Sequence, residues 1–131
     1  MPTYALGVNI EFTAKHFLVG GDFGPEGELH AHDYRVELVL EGDELDEHGF
    51  LVDIVRVKAE LARLADRYRD AVLNELPELE DKNPGCEEFS RVFAESLRDG
   101  LDTGKLSNLT VKIWENSEAW AQCRLEFLSK E

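Results

Sequence analysis

His30-Ala31-His32-Asp33-Tyr34, running on into Arg35-Val36-Glu37-Leu38-Val39-Leu40-Glu41, is the stretch from which the rest of this chain can be read. In an extended segment, side chains alternate between two faces, so residues two apart share a side. His30 and His32 therefore share a face with Tyr34, Val36, Leu38 and Leu40. Arg35, Glu37 and Glu41 fall on the other face, with Val39 as the one apolar exception. His16 repeats the arrangement: Tyr4, Leu6, Val8, Ile10, Phe12 and Ala14 precede it at the same parity, against Asn9, Glu11, Thr13 and Lys15. If the two segments pair in one sheet, three imidazoles meet at one rim of its buried face. Three neutral nitrogens with a fourth position open are the ligand set of a catalytic zinc site. A lone histidine at a strand end is more often a hydrogen-bonded core residue, but here three of the chain's four histidines end two apolar stripes. The fourth, His48 in Asp46-Glu47-His48-Gly49, reads as a turn residue.

Working outward, residues 4–16 and 30–41 read as strands, joined by a loop rich in Gly20, Gly21, Gly24, Pro25 and Gly27. Gly42 to Gly49 forms an acidic connection. Asp53 can cap a helix whose apolar positions Ile54, Val57, Leu61, Leu64, Tyr68 and Val72 step by three and four, with Pro77 at or after its end. A second helix opens at Asn83-Pro84-Gly85, buries Phe89, Val92, Phe93 and Leu97, and stops at Gly100. Strands return at 108–115 and 118–128, the latter with Ala119, Ala121, Cys123, Leu125 and Phe127 on one face. The order ββααββ predicts an α+β fold, a four-stranded antiparallel sheet with two helices covering its apolar face. Residues 1–131 make one domain. The open sheet leaves two edges, and association of edges into a ring would cover them.

The totals bound the function. A chain of 131 residues, 43% hydrophobic and 32% charged, has the composition of a globular domain. A formal charge of −14 argues against nucleic acid, whose phosphates call for a basic surface, and against anionic membranes. No apolar run approaches a membrane span and no signal-peptide pattern opens the chain, so a cytoplasmic location is expected. Cys86 and Cys123 are too few for a disulfide framework. A thiol at a helix start can be reactive, but Cys86 reads first as a packing residue. An anionic substrate would have to be met by Lys15, Arg35 or Lys112. Glu115 shares parity with Leu109, Val111 and Ile113, which sets a carboxylate where the apolar face continues; such a group needs donors.

Taken together, these segments resemble the 6-pyruvoyl-tetrahydropterin synthase / 6-carboxytetrahydropterin synthase family. The correspondence runs in order through Phe12 to His16, His30 to Tyr34, Gly49 to Asp53, Leu73-Asn74-Glu75-Leu76, Asn83-Pro84 with Glu87, and Trp114-Glu115. The resemblance implies the tunnelling fold (T-fold), with subunits joined by their sheets into a barrel, as a homotrimer or homohexamer with active sites between subunits. It implies zinc held by His16, His30 and His32, and a pterin substrate bound by Glu115, which accepts hydrogen bonds from the amino-pyrimidine edge, and by Glu87. It also marks departures. The family's proton-abstracting cysteine is replaced by Glu26. The histidine of its Asp-His pair is missing, leaving Asp70. Gly85 stands for a threonine, and Ala31 for the glycine between the zinc histidines. Glu26, with Asp70 assisting, then becomes the candidate base. Three outcomes are expected to compete: synthase chemistry on dihydroneopterin triphosphate or a related pterin; glutamate-dependent cleavage of the side chain to 6-hydroxymethyl-dihydropterin; and ligand binding without turnover.

Overall fold

The computed structural model describes residues 2–127 and follows the expected order: β1 (Tyr4–His16), β2 (His30–Gly42), α1 (Ile54–Tyr68), α2 (Cys86–Gly100), β3 (Asn108–Trp114) and β4 (Trp120–Glu126). Short 3-10 turns occupy Gly24–Gly27, Leu73–Glu75 and Pro77–Leu79. The sheet is antiparallel throughout in the order β1-β2-β3-β4. Alternation is expressed as burial. Phe12 and Ala14 on β1, Tyr34, Val36, Leu38 and Leu40 on β2, and Leu109, Val111 and Ile113 on β3 are all buried under the helices. On the edge strands the same stripes are only half-covered, at Leu6, Val8 and Ile10 and at Ala121, Cys123 and Leu125.

The helices form where the apolar spacing placed them, with different ends. Asp53 caps α1, its carboxylate accepting the Val55 N–H at 3.0 Å. Val57, Leu61, Leu64 and Tyr68 are buried, but α1 stops at Tyr68 and Val72 lies beyond it. The stop is local: Asp70 takes a left-handed φ of 60°, a conformation that a short polar side chain tolerates better than most. The released chain then adds to the edge of β1. Asp70 N–H donates to Thr13 O at 2.6 Å and Lys15 N–H to Ala71 O at 2.9 Å, so residues 70–72 cover the His16 end of that edge.

In α2, Gly85 is the N-cap rather than part of the helix, and Gly100 is the last helical residue. Phe89, Val92, Phe93 and Leu97 are buried as the spacing required. β3 and β4 are each shorter than the expected 108–115 and 118–128, and residues 115–119 form the connection between them. Glu115 N–H closes onto Ala119 O at 3.1 Å, and Asn116 Oδ1 accepts the N–H groups of Glu118 and Ala119. Phe127 lies past the end of β4, and Leu128 is outside the described residues. Beneath the histidines, Tyr34 and Tyr68 meet the Phe89 ring edge-on, with centroids 5.3 and 5.0 Å apart. These contacts anchor the start of β2 to α2.

Candidate metal centre

The antiparallel register sets His16 opposite His30 and Ala14 opposite His32, which carries all three imidazoles to one end of the β1–β2 pair. Their centroids are 4.5, 4.9 and 4.8 Å apart, and each ring stands nearly perpendicular to the others. His16 Nδ1 lies 2.7 Å from Pro84 O, and His30 Nδ1 lies 2.7 Å from Glu28 O. A carbonyl can only accept, so both Nδ1 atoms carry a proton, and in the neutral form of each ring the lone pair is left at Nε2. Such outer hydrogen bonds orient metal-ligating histidines. Burial holds His16 below its ordinary pKa, despite the opposing Pro84 carbonyl, and so keeps it neutral.

The Nε2 atoms of His16 and His32 are 3.1 Å apart, and His30 Nε2 is buried without a hydrogen-bond partner. Crowded, inward-facing ring nitrogens and an orphaned buried nitrogen fit a divalent cation with nitrogen preference. Glu26 stands beside the three histidines: one ligand atom from each of His16, Glu26, His30 and His32 falls within 4.8 Å of all the others.

The remaining sequence-predicted residues divide. Glu115 sits just past β3 yet is not free in solvent. Its Oε2 accepts from the Cys86 thiol at 3.6 Å and lies 3.8 Å from His32 Nε2. Glu87 and Glu115 line one cavity of about 460 Å³ with His16, Glu26, Cys86 and Trp120. Asp70 is not brought there; it lines a separate cavity with Glu11, Thr13, Asp33 and Arg69. Gly85 leaves α2 without a side-chain cap. Cys86 is a buried, free thiol, pushed up to about 12 chiefly by burial and then by the Glu115 carboxylate. That chemistry suits packing and hydrogen-bond donation rather than nucleophilic attack.

Of the cations considered for an anionic substrate, only Arg35 lines a cavity beside the cluster, shared with His32, Trp114 and Glu115. Lys112 instead lies over the Trp120 ring, 3.8 Å from its centroid. A further cavity of about 550 Å³, at the other end of the sheet around Leu51, Arg56 and Lys105, contains no histidine.

Several supporting groups escape sequence reasoning. The carbonyls of Pro84 and Glu28 have no residue-type signature. Asn74 and Asn83 were visible as motif positions without a task. Each uses both ends of its amide to clamp the chain after His16. Asn74 accepts from Phe17 N–H at 2.9 Å and donates to Phe17 O at 2.8 Å. Asn83 does the same to Val19 at 2.8 and 3.0 Å. Trp120, one of the cavity walls, lies at the exposed start of an edge strand, where parity says little.

Comparison with known proteins bears on this constellation. The family model described as 6-pyruvoyl tetrahydropterin synthase matches residues 5–126. The 6-carboxy-5,6,7,8-tetrahydropterin synthase of Bacillus subtilis is 23% identical over 125 residues, covering 92% of this chain and 84% of that protein. Among solved structures, Caenorhabditis elegans 6-pyruvoyl tetrahydropterin synthase superposes with a TM-score of 0.83 at 19% identity, over 96% of this chain and 98% of that one. A Plasmodium vivax 6-pyruvoyltetrahydropterin synthase, in a mutant of a catalytic glutamate, superposes with a TM-score of 0.80 at 18% identity, over 97% of this chain and 100% of that one. The structural likenesses establish the shared T-fold.

Proposed function

Because the chain belongs to the 6-pyruvoyl tetrahydropterin synthase family, we propose that it is a zinc-dependent lyase acting on the side chain of a pterin, dihydroneopterin triphosphate or a close relative. The observation that carries this reading is the convergence of His16, His30 and His32 with the Glu26 carboxylate, whose Oε2 lies 2.9 Å from His30 Nε2. His16, His30 and His32 would hold the zinc ion. When bound, that ion supplies Lewis-acid polarisation of a substrate side-chain oxygen.

The chain's own groups divide the remaining work. Glu115, fixed by the Cys86 thiol, accepts hydrogen bonds from the amino-pyrimidine edge of the pterin. Glu87, on the same cavity, contacts the ring from the first turn of α2. Glu26 Oε2 takes the proton of a side-chain hydroxyl and returns it to the carbon left by bond cleavage. Cleavage to 6-hydroxymethyl-dihydropterin is favoured over the synthase reaction, which moves more protons, because the cluster holds one carboxylate, Glu26. The P. vivax relative, whose catalytic residue is a glutamate, supports giving Glu26 this role. Asp70, away from its own histidines, would serve the site of a neighbouring copy. That assignment goes with the homotrimer or homohexamer that the family resemblance implies, and the half-covered stripes on both edge strands are consistent with such an association.

The test is turnover by the zinc-loaded protein with dihydroneopterin triphosphate, the pterin product being identified by mass. 6-Hydroxymethyl-dihydropterin is the expected product. Release of triphosphate with a 6-pyruvoyl product would return the chain to synthase chemistry, and bound ligand without product would make it a binding protein.

A further inference from the structure

On the metal-site reading above, we infer that Glu26 is itself a ligand of the resting ion, closing the fourth position until substrate displaces it. Tetrahedral zinc, with bond lengths of about 2.0 Å, requires ligand atoms about 3.3 Å from one another. Two separations are close to this, 3.1 Å between the His16 and His32 Nε2 atoms and 2.9 Å between His30 Nε2 and Glu26 Oε2. All four donors fall within 4.8 Å of each other. Glu115 does not join them; it lies 3.8 Å from His32 Nε2 and is engaged by the Cys86 thiol.

An ordinary ion pair between His30 and Glu26 accounts for the contact less well. A hydrogen-bonded ion pair would align the ring nitrogen with the carboxylate. Yet His30 Nε2, at 2.9 Å, makes no aligned hydrogen bond to any group. Two donors side by side without alignment toward each other are what two ligands of one ion look like.

The backbone supports the same role. Glu26 sits in the 3-10 turn Gly24–Gly27, and its carbonyl accepts Leu18 N–H at 3.0 Å, two residues after His16. The turn is thereby pinned to the strand end that carries a metal histidine. The Glu26 side chain is 55% exposed, against 24% for His30, so it forms the outer wall of the cluster. On that exposed side the carboxylate would be able to leave the ion and accept a proton from a substrate hydroxyl. Ligand and base are then successive states of one side chain.

The experiment measures zinc affinity of the full chain by chelator competition, together with the visible spectrum of the cobalt(II)-loaded protein. Wild type is compared with Glu26→Ala and with Glu28→Ala, which removes the same charge two residues away while leaving the carbonyl that orients His30. Glu26→Ala is expected to weaken zinc at least tenfold and to shift the cobalt bands, while Glu28→Ala stays within about twofold and leaves the bands unmoved. Equal affinities and spectra for wild type and Glu26→Ala would overturn the inference. So would equal losses in the two variants, since charge alone would then be responsible. A wild-type chain that takes up neither metal would instead overturn the metal site itself.

Discussion

His16 and His30 face each other across the β1–β2 pair with ring centroids 4.5 Å apart, yet each turns its Nδ1 to a carbonyl from a different part of the chain. Pro84 holds one ring from the segment leading into α2, and Glu28 holds the other from the loop before β2. Neither ring can rotate without giving up a bond to a backbone oxygen. The inward Nε2 atoms are therefore set before any ligand arrives, which is the condition for a precise site.

In the proposed function Glu115 recognises the ligand rather than holding the fold. Glu115→Ala is expected to weaken pterin binding by about 10- to 100-fold, the range of a lost charge-assisted hydrogen bond. Zinc content and the melting profile should stay unchanged. Fluorescence titration with a pterin checks this, and wild-type affinity in the variant would remove Glu115 from the binding role.

Cys86 should be inert in the folded protein. With the thiol buried and pushed up to about 12, almost no thiolate exists at pH 8. Iodoacetamide is expected to leave Cys86 unmodified in native protein and to label it after denaturation, as read by peptide mass. Rapid native labelling would revive the reactive-thiol reading.

Acid stability should depend on Glu78, which links the end of α1 to the turn that follows. Its carboxylate accepts two hydrogen bonds from Arg67, at 2.6 and 2.7 Å, and one from Tyr68 at 2.9 Å. The Arg67 guanidinium is the main cause holding Glu78 down at about 2, against an ordinary 4.5. A depressed carboxyl stabilises the fold above its unfolded pKa, and that contribution is lost as pH falls from about 4.5 through about 2. Because the pair is partly exposed, solvent screening limits it to on the order of 1 kcal/mol. Urea unfolding should find Glu78→Gln less stable than wild type at pH 7, with the difference narrowing as pH drops below 4.5. A gap independent of pH would contradict the linkage.

Much of this architecture was legible because alternation and helical spacing are local. The parity of Phe12, Ala14 and His16, and of His30 to Leu40, survives intact as burial and as the meeting of three rings. Helix ends were less legible. Val72 continued the helical spacing of α1, but Asp70 turned the chain away because residues 70–72 could bond to the open edge of β1, a partner distant in sequence. In the site, side-chain ligands carry residue-type signals, whereas the carbonyls of Pro84 and Glu28 carry none. The clamping of Phe17 and Val19 by Asn74 and Asn83 spans more than fifty residues of chain and needed coordinates. Asp70 shows the converse: a residue aligned by motif that lies away from its own chain's cluster.

The most direct test of the account is the metal content of the purified full chain, measured by mass spectrometry of the elements, beside His32→Ala. The account predicts one zinc per wild-type chain, and none in the variant, which keeps a cooperative unfolding transition and an unchanged circular dichroism spectrum. A wild-type chain that remains without zinc after exposure to excess metal, or a His32→Ala chain that keeps its full complement, would contradict it.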